Sequence, residues 1–241
     1  MIELRVLGTL DIRSPQHPGG PDLLSKPSPT ALLVYLAVAS PGAFHRRDHL
    51  VGLFWPETGQ AQARANLRKL IHTLRTALDA DVVESRGDED IRVSSEYIWC
   101  DAAEFQSALG SDRFSDAMEL YRGPLLPGFH LDGAAEWVRW VDETRTRYMR
   151  DAGRAAMRLA DQHLQDAERT EASNVAQFIA RVGAELEDEF LFRKLLQLLL
   201  RLGDHAGALK MYDGFRRRLE KEYNGVPSPE TRALIESIRV R

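Results

Sequence analysis

Residues 63–78 read ARANLRKLIHTLRTAL and carry Arg64, Arg68, Lys69, His72 and Arg75 with no acid among them. Set on a helix at about 100° per residue, Leu67, Leu70, Ile71, Leu74 and Leu78 share one apolar arc. Arg64, Arg68, His72 and Arg75 fall together to one side of that arc, with Lys69 and Thr76 further round. A helix patterned this way buries one face and presents a cationic one. The chain as a whole is acidic, with 32 Lys and Arg against 36 Asp and Glu and a formal charge of −4. Elsewhere its surfaces mix signs, as at Glu143, Arg145 and Arg147; here only Glu57 and Asp79, beyond the helix ends, supply acid. Such segregation points to a phosphate-rich partner. The arginine fork fits both phosphate and guanine edges, and the B-DNA major groove admits an α-helix.

The flanks supply the rest of a DNA-binding module. Ser28, Pro29 and Thr30 open a helix that continues through ALLVYLAVA and stops at Ser40-Pro41-Gly42. A second helix, Arg46 to Phe54, is closed by Trp55-Pro56, and the basic helix follows from about Gln60 to Leu78. Residues 44–78 hold six Lys and Arg against two acids, Asp48 and Glu57, and Arg46-Arg47 stands where a helix-turn-helix meets the DNA backbone. Downstream, Val82–Arg86 and Ile91–Ser94 read as strands joined at Gly87-Asp88, with Tyr97–Cys100 as a third run. Upstream, residues 2–13 alternate apolar and polar around Gly8, a short hairpin, before a Pro- and Gly-rich loop. Strands, three helices and a hairpin are the order of a winged helix-turn-helix. Asp88, Glu89 and Asp90 at the tip of its wing oppose a phosphate contact there.

From Asp101 the pattern is nearly all helical. Short helices are expected near 103–109 and 113–122, a long one from about 134 to 165, and others near 171–182, 188–202, 204–223 and 229–239. Ala117-Met118-Glu119-Leu120-Tyr121 echoes Ala208-Leu209-Lys210-Met211-Tyr212, the small-residue and tyrosine spacing of tetratricopeptide-like pairs. FLFRKLLQLLLRL (190–202) is apolar over most of its circumference and reads as a helix buried between neighbours. The expected fold is therefore mainly α: a winged helix-turn-helix over 1–100, then an all-α tetratricopeptide-like domain over 101–241.

KPSPTALLVYLAVASPGAFHRRDHLVGLFWPE (26–57) followed by ARANLRKLIHTLRTAL resembles the OmpR-type winged helix of SARP-like bacterial transcriptional activators. SDAMELYRGPLLPGF (115–129), EWVRWVDETRTRYM (136–149) and RLGDHAGALKMYDGFRRRLEKEYNGVPSPETRAL (201–234) resemble the bacterial transcriptional activation domain that follows it. The resemblance implies an activator that binds promoter direct repeats, as two protomers on the DNA, and recruits RNA polymerase. It sets Arg64, Arg68, Lys69, His72 and Arg75 on the recognition helix, Arg46 and Arg47 near the backbone, and Arg86 and Arg92 on the wing. Trp55, Glu57, Thr58 and Gln60 fall in the loop that contacts polymerase.

Other residues read as structural. His45 and His49 lack a third ligand nearby and read as a surface pair rather than a metal site. Cys100, the single cysteine, precludes an internal disulfide, reads as a small core residue and fits a reducing cytoplasm. Asp101 and Glu104 mark a helix start, Trp137 and Trp140 a packing stripe, and Arg216, Arg217, Arg218 and Lys221 a solvated face. Charges interrupt the opening MIELRVLGTLDIRS, which excludes a secretory signal, and the longest apolar run, Ala31 to Ala39, is too short to span a membrane. A phosphate loop of the G-x-x-x-x-G-K-[ST] type is absent from the sequence, so nucleotide hydrolysis is not expected, and with no catalytic motif behind it neither an enzyme nor a cofactor is expected. The rival reading is a tetratricopeptide-like interaction scaffold whose winged helix binds protein instead of DNA.

Overall fold

A computed structural model describes residues 1–14, 21–78, 80–165, 174–175, 177–179 and 188–239. Asp79, part of the Pro- and Gly-rich loop and most of the helix expected near 171–182 lie outside them. The chain forms two compact units, one of residues 1–108 with 120–145, the other of 109–119 with 146–241.

The first unit starts with β1 (Ile2–Arg5) and β2 (Asp11–Arg13), an antiparallel pair with Leu4 opposite Ile12. Helix α1 (Pro27–Val38) follows, opened by prolines in its first turn. Every residue from Pro29 to Val38 is buried, so α1 is the axis of this unit rather than a surface helix. β3 (His45–Arg46), α2 (Arg47–Phe54) and α3 (Gln60–Leu78) come next. α3 turns Ala63, Leu67, Ile71, Leu74 and Leu78 inward, while Leu70, expected in the buried arc, is only half-buried. The wing is β4 (Val83–Arg86) and β5 (Asp90–Val93), turning at Gly87, with β3 completing a sheet of order β3-β5-β4. β6 (Ile98–Cys100) lies parallel to β1, with Cys100 opposite Leu4, and makes a second sheet of order β2-β1-β6. The three-helix segment is thus closed between the chain's first strand and the strand that ends the winged helix.

The joint is reinforced by Asp101, the first residue of α4 (Asp101–Gly110). The helix start expected there is present, but the side chain has a larger task. Its two carboxylate oxygens accept the backbone N–H groups of Val6 (2.9 Å) and Leu7 (3.1 Å). Burial pushes this carboxyl above its ordinary range, against the lowering effect of those hydrogen bonds. Burial likewise pushes the Cys100 thiol up to about 12, which keeps it an inert core group.

The sequence reading cuts the chain after residue 100; compactness divides it elsewhere, because residues 120–145 are bonded to the N-terminal strands. Gly8 donates to Pro124 O (2.9 Å), Leu126 donates to Val6 O (2.8 Å), and Arg145 reaches Leu125 O and Leu126 O, both at 2.7 Å. Gly8, at φ +82°, meets Gly123 so closely that a Cβ would lie 2.7 Å from the Arg122 carbonyl carbon. Two glycines are needed where these backbones cross. α5 (Phe114–Leu120) precedes this connector and α6 (Ala135–Gln165) follows it. Trp137, 1% exposed, has its ring 5.5 Å from Phe129, 6.4 Å from Phe54 and 6.3 Å from Trp140, whose ring is 4.7 Å from Tyr35. The expected packing stripe belongs to the core of the first unit.

In the second unit, Ala152, Ala155, Ala156 and Ala160 line α6 with small buried side chains. Gly153 lets Leu191 approach to 3.2 Å of where a Cβ would stand. α7 (Glu189–Arg201) is capped by Asp188, α8 (His205–Tyr223) by Asp204, and α9 (Pro229–Arg239) follows. Phe192 stacks on Phe215 at 4.0 Å. Both halves of the sequence echo are buried at equivalent places, Ala117 with Tyr121 and Ala208 with Tyr212. Phe190, placed by the sequence in the buried helix, is 63% exposed at its first turn. Truncating Trp137→Ala is expected to cost about 3–5 kcal/mol, read as a lower urea midpoint, because the cavity is walled by rings that close poorly.

Candidate nucleic-acid interface

α3 places one full turn of unpartnered polar side chains in solvent. Arg68, Lys69 and His72 are exposed, and none has a side-chain hydrogen bond or ion pair among the described residues. Their position follows from burial: Leu67, Ile71 and Leu74 face the core, so residues one position on face water.

The remaining cations are held by neighbours. Arg64 donates to Asp48 Oδ1 from Nη2 (2.6 Å) and Nε (3.1 Å), and lies 3.7 Å from Glu89. Arg46 lies 3.6 Å from the same Glu89 carboxylate. The acid-free helix is therefore compensated at one end in three dimensions, by carboxylates from α2 and the wing. Sequence reading missed this because the partners stand 16 and 25 positions away from Arg64. Arg75 spends its fork on the wing, donating to Val83 O (3.1 and 2.8 Å) and Ser85 Oγ (2.9 Å). Arg47 donates to the same hydroxyl at 3.2 Å, and its backbone N–H donates to Glu89 O at 2.8 Å. Arg75 and Arg47 thus fix the hairpin against α3 and α2.

On the wing, Arg86 and Arg92 cover the Phe44 ring at 4.5 and 4.7 Å. Arg86 pairs with Asp90 (2.8 Å), Arg92 with Glu84 (2.7 Å), and the Arg92 partner holds the Glu84 carboxyl below its ordinary range. Phe44 was not foreseen. An aromatic residue just before His45 carries no periodic signal, and only the fold brings it between two arginines. Of the three acids at the tip, Glu89 and Asp90 are engaged with arginines, while Asp88 is exposed.

In the loop between α2 and α3, Trp55 is half-buried beside Phe54, Thr58 donates its N–H to Trp55 O at 3.1 Å, and Glu57 and Gln60 are exposed. His45 and His49, read as a surface pair, both meet Tyr35: His49 Nε2 lies 2.8 Å from its hydroxyl, and the His45 ring packs edge-on at 5.4 Å. Burial pushes the His45 imidazole below its ordinary range, and His49 pushes it the same way. Among the described residues, no cluster of His, Cys, Asp or Glu could hold a metal ion, and no helix is long and apolar enough to cross a membrane.

Comparison with known proteins adds three findings. The family model described as the bacterial transcriptional activator domain matches residues 100–239. No curated protein matches the chain. A solved structure of Mycobacterium tuberculosis EmbR in complex with a low-affinity phosphopeptide is similar, with a TM-score of 0.59 at 21% identity. That match covers 99% of this chain and 65% of the EmbR chain, so this chain spans less than two thirds of its relative's length. At such identity the likeness establishes the fold, which is the winged helix with a helical domain expected from the sequence.

Arg75→Ala is expected to lower stability by about 1–3 kcal/mol, since it leaves Val83 O without its charged donor and Ser85 Oγ with Arg47 alone. Arg68→Ala is expected to leave stability within about 0.5 kcal/mol of wild type; thermal melts separate the two. For His45 the folded pKa lies below the unfolded value of 6.5, so its contribution is present above that pH and is lost as pH falls through the folded value. The melting temperature is expected to fall between about pH 7 and pH 5, and His45→Gln to flatten that fall.

Proposed function

The chain belongs to the bacterial transcriptional activator domain family and is a SARP-like regulator; from that premise we propose that it binds promoter DNA sequence-specifically through α3. In this reading residues 1–100 are the DNA-binding module, and residues 101–241 are the activation region that supplies protein contacts. The observation that carries it is the exposed Arg68, Lys69 and His72 turn, with no carboxylate partner among the described residues. A solvated helix face in an acidic chain gains nothing from excluding acids, whereas a face that docks on a duplex gains from every uncompensated cation.

The roles divide by geometry. Arg68 and His72, one turn apart on the open face, read base edges in the major groove, and Lys69 meets a phosphate. Arg75 and Arg47, which hold the hairpin to the helices, contribute charge near the backbone and set the angle between α3 and the wing. Arg86 and Arg92, backed by Phe44, bring the wing to the adjacent groove or backbone. Exposed Glu57 and Gln60, with Trp55 and Thr58 forming the turn beneath them, offer a polymerase-facing surface. The protein acts in the cytoplasm, without enzymatic activity or cofactor, as two protomers on direct repeats. The open basic turn argues against the scaffold reading, because a protein-binding winged helix has no need of it.

Selection of bound duplexes from a randomised pool tests this, followed by salt titration on the strongest. Arg68→Ala is expected to cost about 1–3 kcal/mol on the selected duplex and to relax preference at one base position. Lys69→Ala is expected to weaken all duplexes alike and reduce the salt slope by about one. Failure of wild-type protein to enrich any sequence would sink the assignment.

A further inference from the structure

Arg64 is the one basic residue of α3 bound to carboxylates among the described residues, and both partners come from outside the helix. Asp48 stands in the first turn of α2, where an acid is favoured by the helix dipole, and it receives two N–H groups of the Arg64 fork. Glu89, at the wing tip, lies between Arg64 at 3.7 Å and Arg46 at 3.6 Å. Asp48, Arg64, Glu89 and Arg46 thus form a chain of alternating charge linking α2, α3 and the wing. One turn further along α3, Arg68 is open.

These side chains are accessible: Arg64 is 37% exposed, Asp48 45% and Glu89 49%. Ion pairs at this exposure contribute little net stability, so a well-placed phosphate or base edge can displace the carboxylates. A badly placed one cannot. It meets two negative charges within the screening length before it reaches the guanidinium. The same contact that neutralises Arg64 in the free protein therefore weights binding toward duplexes that bring an acceptor directly onto it.

We propose that Asp48, assisted by Glu89, clamps Arg64 and so lowers binding to non-cognate DNA, making both acids specificity-determining residues of the interface. The proposal rests on the DNA-binding reading above. Asp48 makes selectivity by withholding a cation, a role opposite to that of the arginines around it.

The test uses the full chain and two probes: a mixed-sequence duplex of about three helical turns and the strongest duplex recovered by selection. Binding is followed by fluorescence anisotropy over a range of salt. Asp48→Asn is expected to bind the mixed-sequence duplex about three- to tenfold more tightly, with a salt slope steeper by about one. The gain on the selected duplex is smaller, so the ratio between the two falls. Glu89→Gln gives the same change at smaller size. Adding Arg64→Ala to Asp48→Asn removes the gain, because the released group is then missing. Thermal melts of each variant should superpose on wild type, as expected for exposed positions.

Wild-type protein that binds neither probe overturns the DNA-binding reading and the clamp with it. Wild-type binding with an unchanged or weakened Asp48→Asn variant overturns the clamp alone. A gain that survives Arg64→Ala also overturns it, since removing any negative charge near the duplex would then suffice.

Discussion

The leucine face of α3 has to be buried against the rest of the first unit, and the other features of the candidate interface follow from that. α1 is buried from Pro29 to Val38 and offers a mainly apolar surface, and Leu67, Ile71, Leu74 and Leu78 are the α3 side chains suited to it. Each such side chain contributes about 1.5–3 kcal/mol when removed from water. Once those four are inside, the helix rotation is fixed, and Arg68, Lys69 and His72 have nowhere to go but outward. The exposed basic turn is thus a consequence of core packing.

A second layer of interactions turns this helix into part of a rigid body. The wing could swing about its short connections, yet Arg75 and Arg47 hold it through Val83 O and Ser85 Oγ. Phe44, beneath Arg86 and Arg92, seats the far side of the hairpin. Positioned groups bind with less loss of freedom than mobile ones, so in the proposed interface arginines spent on internal hydrogen bonds would contribute by aiming their neighbours. Charge in this region is therefore divided between structure and display. The division follows carbonyls, hydroxyls and carboxylates on neighbouring elements rather than sequence position.

The winged helix is also closed by the chain around it. The parallel pairing of β1 with β6, the Asp101 carboxylate on Val6 and Leu7, and the crossing of Gly8 with Gly123 bind the first residues to segments more than ninety positions later. Trp137 then fills the space beside Phe54 and Phe129. The first part of α6, up to Arg145, consequently belongs to the same compact unit as the winged helix, while the family match begins at residue 100. Sequence family and compact unit divide this chain at different places, because one follows shared pattern and the other follows contact.

Periodicity alone determined a good deal. The 3.6-residue spacing of Leu67, Ile71, Leu74 and Leu78 set the extent and rotation of α3. The breakers at Ser40-Pro41-Gly42 and Trp55-Pro56 bounded α1 and α2, and the turn at Gly87 marked the wing. These are local signals, carried by residues within one or two turns of each other. Only the tertiary structure decided which basic side chains stay open. Asp48 and Glu89 reach Arg64 across 16 and 25 residues, Ser85 receives Arg75 from another element, and Phe44 and Tyr35 gather groups from separate segments. A charge's fate depends on what the fold brings within about 4 Å of it, and no helical wheel contains that distance.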